Sequence, residues 1–205
     1  MRTHGWAGRP PADDDEAVER ILAVTRRCIE RDGGDIGIVD VARELGVTRQ
    51  TVYRYFRSTR DLITATALVE TAPFLDRLDA HLRRRRGAPA ELVVEAIAYT
   101  LERLPDEPYM GLLLHPAHGG TLTRNVTSDA ARALGRSMIE RMPVDWAAAG
   151  FDDAALEELV EYTLRITQSF ILYPGDPPRA GKDLRAFLRR WLGPALDAHA
   201  ASVTG

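Results

Sequence analysis

The sequence predicts an all-α protein. Apolar residues recur at three- and four-residue spacing along its length, no stretch reads as a convincing strand, and Pro and Gly breaks divide the chain into helix-sized segments. Its 205 residues suffice for one medium domain or a small domain fused to a larger one. The expected organisation is a disordered N-terminal arm over residues 1–13, a helix-turn-helix unit over 14–60 and a larger helical domain over 61–205. No apolar run approaches the roughly 18 residues needed to cross a bilayer, and the N-terminus lacks the apolar stretch of a signal peptide. A cytoplasmic location is therefore expected.

The first helix should follow the Pro10-Pro11 break. Asp13, Asp14, Asp15 and Glu16 supply a cap and favourable charge at its N-terminus, and Val18, Ile21, Leu22, Thr25 and Ile29 form its buried stripe. Gly33-Gly34 should end it. A second helix is predicted over about Val39 to Leu45, with Asp35 as a candidate cap and Gly46 as its left-handed stop. Thr48 then caps a third helix through Phe56. Ser58 and Asp61 open a fourth, predicted to continue as far as Arg83–Arg86 with a kink at Pro73, about 35 Å in all at about 1.5 Å per residue. Five further helices are predicted at about 89–104, 107–115, 121–141, 152–173 and 182–200. The last two carry apolar stripes suited to a bundle interface.

The third helix, within "LGVTRQTVYRYF", is too polar for a core helix, since only Val47, Val52 and Phe56 are available to bury. Two short helices joined by "GVT" form a helix-turn-helix, whose second helix lies in a DNA major groove. The chemistry suits that role: an arginine such as Arg49 can donate bidentately to guanine, Gln50 can pair with adenine, and tyrosine hydroxyls bind phosphate without adding charge. The net charge of −3 hides a local basic excess, because Ile36 to Arg60 holds five arginines against Asp40 and Glu44.

Residues Ile21 to Leu62, and above all the A-x-x-L-G-V-[ST]-x-x-[TA]-[VL]-Y-x-[YH]-F pattern from Ala42 to Phe56, resemble the tetracycline-repressor (TetR) family of bacterial transcriptional regulators. The resemblance implies an all-helical homodimer with an N-terminal three-helix DNA-binding domain and a C-terminal ligand-binding and dimerisation domain. It implies a regulator, usually a repressor, released from a palindromic double-stranded operator by a small effector. Carried over by position, Thr48, Arg49, Gln50 and Thr51 meet the groove edge and bases, and Tyr53 and Tyr55 meet phosphates. Thr59 stands where many members have a phosphate-binding Lys, and Arg57 or Arg60 is a candidate substitute. The resemblance also implies a dimer interface through the last two long helices, here Leu156, Leu159, Val160, Thr163, Leu188 and Trp191. A pocket among the middle helices would draw on Tyr99, Tyr109, Met110, His115, Met138 and Phe170, and its apolar character points to an apolar or amphipathic effector. The Thr59 to Arg86 helix is the expected transmitter of motion.

Other readings remain open. His115 and His118 have a spacing compatible with a metal or a catalytic base, but Pro116 interrupts their helix and no nucleophile, phosphate-loop or dinucleotide motif supports an enzyme. No metal site or cofactor is expected. A constitutive DNA-binding dimer without an effector is the other alternative. Cys28, the single cysteine, reads as a small buried side chain, and Arg83 to Arg86 as a solvated helix end favourable to the helix dipole.

Overall fold

The computed structural model describes residues 5–32, 35–114 and 128–202, and among them the regular structure is wholly helical. The helices are α1 (Asp14–Asp32), α2 (Ile38–Leu45), α3 (Arg49–Tyr55), α4 (Thr59–Glu70), α5 (Ala72–Arg83), α6 (Pro89–Arg103), α7 (Pro108–Leu114), α8 (Asp129–Glu140), α9 (Asp153–Leu172), α10 (Gly181–Trp191) and α11 (Gly193–Ser202). The caps form largely where residue type requires them. Asp13 Oδ1 accepts the Glu16 N–H at 2.8 Å, Ser58 Oγ the Asp61 N–H at 3.1 Å, and Asp152 Oδ1 the Ala155 N–H at 2.8 Å. The start of α2 departs from the sequence-based expectation. Gly37 and not Asp35 is the N-cap residue, and the Asp40 carboxylate reaches back to the Gly37 N–H at 3.1 Å.

Two predicted continuities are broken. The single helix expected from residue 59 to the Arg83–Arg86 run is two helices that meet at Thr71, whose backbone keeps a helical φ of −80° and ψ of −17°, so the interruption falls beside the kink expected at Pro73. Pro73 follows in the first turn of α5, where its missing N–H has no intrahelical partner to lose. The expected 182–200 helix divides at Leu192, and Pro194 falls in the first turn of α11 for the same reason. The expected 121–141 helix is described only from Asp129, where the Ser128 hydroxyl accepts the Ala131 N–H at 3.3 Å. His115, His118 and the Gly33-Gly34 stop lie outside the described residues.

The arm expected to be disordered is structured over residues 5–13. Trp6 packs its ring against the core of the first three helices, the Arg20 guanidinium donates to the Arg9 carbonyl, and the Ala12 N–H donates to Glu16 at 2.6 Å. Burial of the indole offsets the backbone cost of Trp6, which has a φ of 69°.

Two apolar cores fill the molecule. The first joins α1 to α4 through Ile21, Val41, Val52 and Leu62, and it extends past residue 60: Leu112 and Leu113 of α7 and Ala131 of α8 are buried in it. The second centres on α6, buried at every residue from Leu92 to Thr100 and packed against α5, α9, α10 and α11. The stripes expected at a dimer interface are turned inward. Leu156, Leu159, Val160 and Leu188 are buried in this second core, and Thr163 turns its hydroxyl onto the Leu159 carbonyl at 2.9 Å. Of the six, Trp191 is the exposed one, at 68%. The reason is geometric, since α9 and α10 carry apolar residues on two faces and α6 and α8 claim the aliphatic one.

A charged cluster ties α5, α6 and α10 together. Glu95, 4% exposed on α6, accepts from Nε and Nη2 along one edge of the Arg185 guanidinium at 2.7 and 2.9 Å, and His81 Nε2 lies 2.7 Å away. Arg85 stands at 3.1 Å. Burial pushes the Glu95 carboxyl up, but the hydrogen bonds from Arg185 and His81 and the charges of Arg185 and Arg85 outweigh it and hold it below the usual carboxylate range. A carboxyl with a lowered folded pKa stabilises the fold above its unfolded pKa, and that contribution is lost as pH falls through the folded value. Glu95→Gln is therefore expected to cost about 1.5–3 kcal/mol at neutral pH and to flatten the acid limb of a plot of unfolding free energy against pH. Parallel acid limbs for the two proteins would contradict this.

Candidate nucleic-acid interface

The polar helix α3 is held by what it buries. Val52 and Phe56 are sequestered in the first core, which turns the opposite face outward. The angle between α2 and α3 is set at Gly46, with φ 67° and ψ 30°, a left-handed conformation that glycine adopts without steric cost. The Val47 N–H then closes onto the Ala42 carbonyl at 2.9 Å, completing the α2 end. Thr48 is the N-cap of α3. Its hydroxyl accepts the Thr51 N–H at 3.2 Å and lies 3.0 Å from the Thr51 hydroxyl. The Trp6 arm lies behind this turn, since a Cβ on Gly5 would sit 3.6 Å from Val47 and 3.7 Å from the Gly46 carbonyl oxygen.

Arg49, Gln50 and Tyr53 project from the outward face, with Tyr53 50% exposed. Among the described residues no carboxylate lies within ion-pair distance of Arg49, Arg57 or Arg60, whereas Arg43 is paired with Asp40 at 3.2 Å. The free cations thus flank α3 and the start of α4, where Thr59 is half-buried in the first turn.

Tyr55 differs from the expectation of a free phosphate ligand. Half-buried, it donates its hydroxyl to Asp14 Oδ1 at 2.8 Å, and Arg54 Nη2 donates both to the same oxygen at 3.2 Å and to the Tyr55 hydroxyl. The Arg54 guanidinium also lies over the Tyr55 ring, 4.6 Å from its centroid. The hydrogen bond to Tyr55 and the charge of Asp14 both raise the Arg54 pKa. Asp14, read from sequence only as a favourable charge at a helix start, is the residue that the sequence reasoning missed here. Its partners lie about 40 positions away, and no local pattern connects them.

The expected pocket residues are not brought together. Met110 and Met138 line a small, partly open apolar cavity of about 70 Å³ between α6, α7, α8 and α9, beside Thr100, Thr163 and Thr167. Phe170 lines a separate cleft of about 620 Å³. Tyr99 lines neither, because its ring packs on Phe74 at 6.0 Å and His81 at 4.5 Å. Tyr109 lines neither and donates its hydroxyl to Glu30 of α1 at 3.2 Å; burial and that carboxylate push the phenol up to about 12. His115 lies outside the described residues. Cys28 is buried, and burial with the Glu44 hydrogen bond at 3.4 Å pushes its thiol up. Among the described residues no group of metal-ligating side chains is assembled, and no helix is long and apolar enough to cross a membrane.

Comparison with known proteins agrees with this geometry. Residues 21–66 match the family model of the bacterial regulatory proteins of the tetR family. An uncharacterized HTH-type transcriptional regulator of Mycobacterium tuberculosis is 28% identical over 194 residues, 91% of this chain and 89% of its own length. The HTH-type transcriptional regulator AlkX of the same species is 27% identical over 174 residues, 83% of this chain and 80% of its own. Among solved structures, the TetR family repressor AlkX from Dietzia sp. strain DQ12-45-1b, implicated in biodegradation of n-alkanes, superposes with a TM-score of 0.60 at 20% identity. The superposition covers 89% of this chain and 96% of that one, a likeness of fold. With the family motif seated on an exposed α3, residues 21–66 form a DNA-binding head of the tetR type, and the chain is similar along most of its length to HTH-type transcriptional regulators.

Proposed function

We propose that the protein is a homodimeric repressor that grips a palindromic operator through two copies of α3 and is released by a small apolar effector. The observation that carries the reading is the outward face of α3. Arg49 and Gln50 are exposed and unclaimed there, on a helix whose other face is anchored by Val52 and Phe56. In this reading Arg49 and Gln50 read base edges. Thr48, Thr51, Tyr53 and Thr59 sit against the backbone, and Arg57 and Arg60 supply the charge that Thr59 lacks. Tyr55 joins them once a phosphate displaces Asp14.

Dimerisation is assigned to the outward faces of α9 and α10. Tyr162, Tyr173 and Trp191 are 45%, 78% and 68% exposed, three large aromatic groups of the kind that anchor interfaces. They replace the inward-facing leucines in that role. The apolar lining of the cavity around Met110 and Met138 supports an apolar effector. Its volume of about 70 Å³ requires α7 or α8 to shift before anything larger than a few waters enters, and such a shift is what an effector would use to move the heads. The closeness of that packing also favours a second reading, a DNA-binding dimer that responds to no ligand.

Selection of bound sequences from random duplex DNA tests the regulator directly. Recognition helices about 34–36 Å apart, or a multiple of that, should yield a two-fold motif with matched half-site spacing. Arg49→Ala and Gln50→Ala are each expected to lose about 1–3 kcal/mol of discrimination at one operator position, and unchanged sequence preference in both would remove α3 from base reading. Asp14→Ala should raise affinity for operator and random DNA alike, about two- to five-fold, and steepen the salt dependence by about one phosphate contact. A fall in affinity would instead make Asp14 a positioning residue for Tyr55. Trp191→Ala is expected to weaken self-association at least about ten-fold in sedimentation equilibrium.

A further inference from the structure

The larger cleft has a chemical character of its own. It opens at the seam between the two cores, bounded by Ile29 near the end of α1, Leu104 and Gly111 about the α6–α7 elbow, and Phe170 and Ile171 at the end of α9. Its volume of about 620 Å³ lies within the range of about 300–1,000 Å³ typical of small-molecule sites. No residue is shared with the small cavity around Met110 and Met138.

Two charged side chains border this apolar space, and they are not equivalent. Glu107 is neutralised by an ion pair with Arg77. Arg179 has no carboxylate within ion-pair distance among the described residues. Its guanidinium lies 4.6 Å from the centroid of the Phe187 ring, and Phe187 packs edge-on against Phe170 of the cleft wall at 5.9 Å. A cation–π contact of this kind holds the guanidinium beside the cleft wall while its N–H groups can still donate to a planar anion. An apolar cleft with one paired acid and one unpaired arginine is complementary to an amphiphile with a single carboxylate.

We propose that this cleft binds an aliphatic carboxylate, its head held by the fork of Arg179 and its tail lying along Phe170 and Leu104 toward Ile29. The site is separate from the effector cavity proposed above and does not rest on the DNA-release reading. Because Ile29 belongs to the first core and Phe170 packs on the second, the bound tail touches both.

The test is isothermal titration of the full chain with a series of n-alkanoates and the matching n-alkanols, each below its aggregation concentration. Wild type should prefer an alkanoate to the alkanol of equal length by about ten-fold or more. Arg179→Gln should abolish that preference without changing alkanol affinity, and Arg179→Lys should restore part of it. Gly111→Leu supplies an independent probe. A Cβ at Gly111 meets nothing within 4 Å, and leucine is the better helix former, so the variant is expected to fill the cleft and keep the fold, which its melting temperature checks. It should weaken alkanoate and alkanol together. The proposal is overturned if no alkanoate binds wild type, if Arg179→Gln keeps the preference, or if Gly111→Leu binds as wild type does.

Discussion

The core of the first four helices is completed by side chains from the helical body, and much of the architecture depends on that shared burial. A unit of this size is marginal when folded alone. Here its core is completed by Leu112 and Leu113 from α7 and Ala131 from α8, all buried against residues of α1 to α4. The helix-turn-helix is thereby built into the helical body. Displacing α7 strips side chains from the core on which α3 is seated, so the two regions are coupled through shared burial. The Tyr109–Glu30 hydrogen bond lies on the same seam and fixes α7 against α1.

The polarity of α3 follows from the same economy. A seven-residue helix with one fully buried side chain, Val52, has little tertiary support, and its stability rests on its ends. Thr48 closes the N-terminus, Gly46 sets the preceding turn, and Phe56 closes the C-terminus by inserting into the core. With its ends and one face committed, the remaining face is free to carry groups chosen for binding. The price is a residual clamp on part of that surface, since Asp14 engages both Tyr55 and Arg54.

Features with a local cause were legible in the sequence. The caps at Thr48 and Ser58, the stop at Gly46 and the family motif from Ala42 to Phe56 each depend on residues within a few positions of one another, and the structure places them as expected. Features settled by competition between distant faces were not. Leu156, Leu159, Val160 and Leu188 form a stripe equally suited to a partner or to the protomer's own interior, and only the position of α6 decides for the interior. Tyr55 reads as a phosphate ligand until Asp14 arrives from 41 residues away. Arg179 lies between the helices predicted at 152–173 and 182–200, directly after a Pro- and Gly-rich break, and its relation to Phe187 and Phe170 exists only in three dimensions.

The interruption at Thr71 falls where allegiance changes between the two cores. Leu62 and Ala67 of α4 are buried with the head, while Phe74, Leu75, Leu78 and Leu82 of α5 are buried with the body. An unbroken helix across that line would act as a stiff lever, and any tilt of the head would pry the α5 face out of its packing. With the boundary there, a change of head angle would fall on a few backbone dihedrals and would leave the side-chain contacts on either side in place. The segment that looks from sequence like one strut is thus, in the folded molecule, two helices that serve different cores and meet at a single threonine.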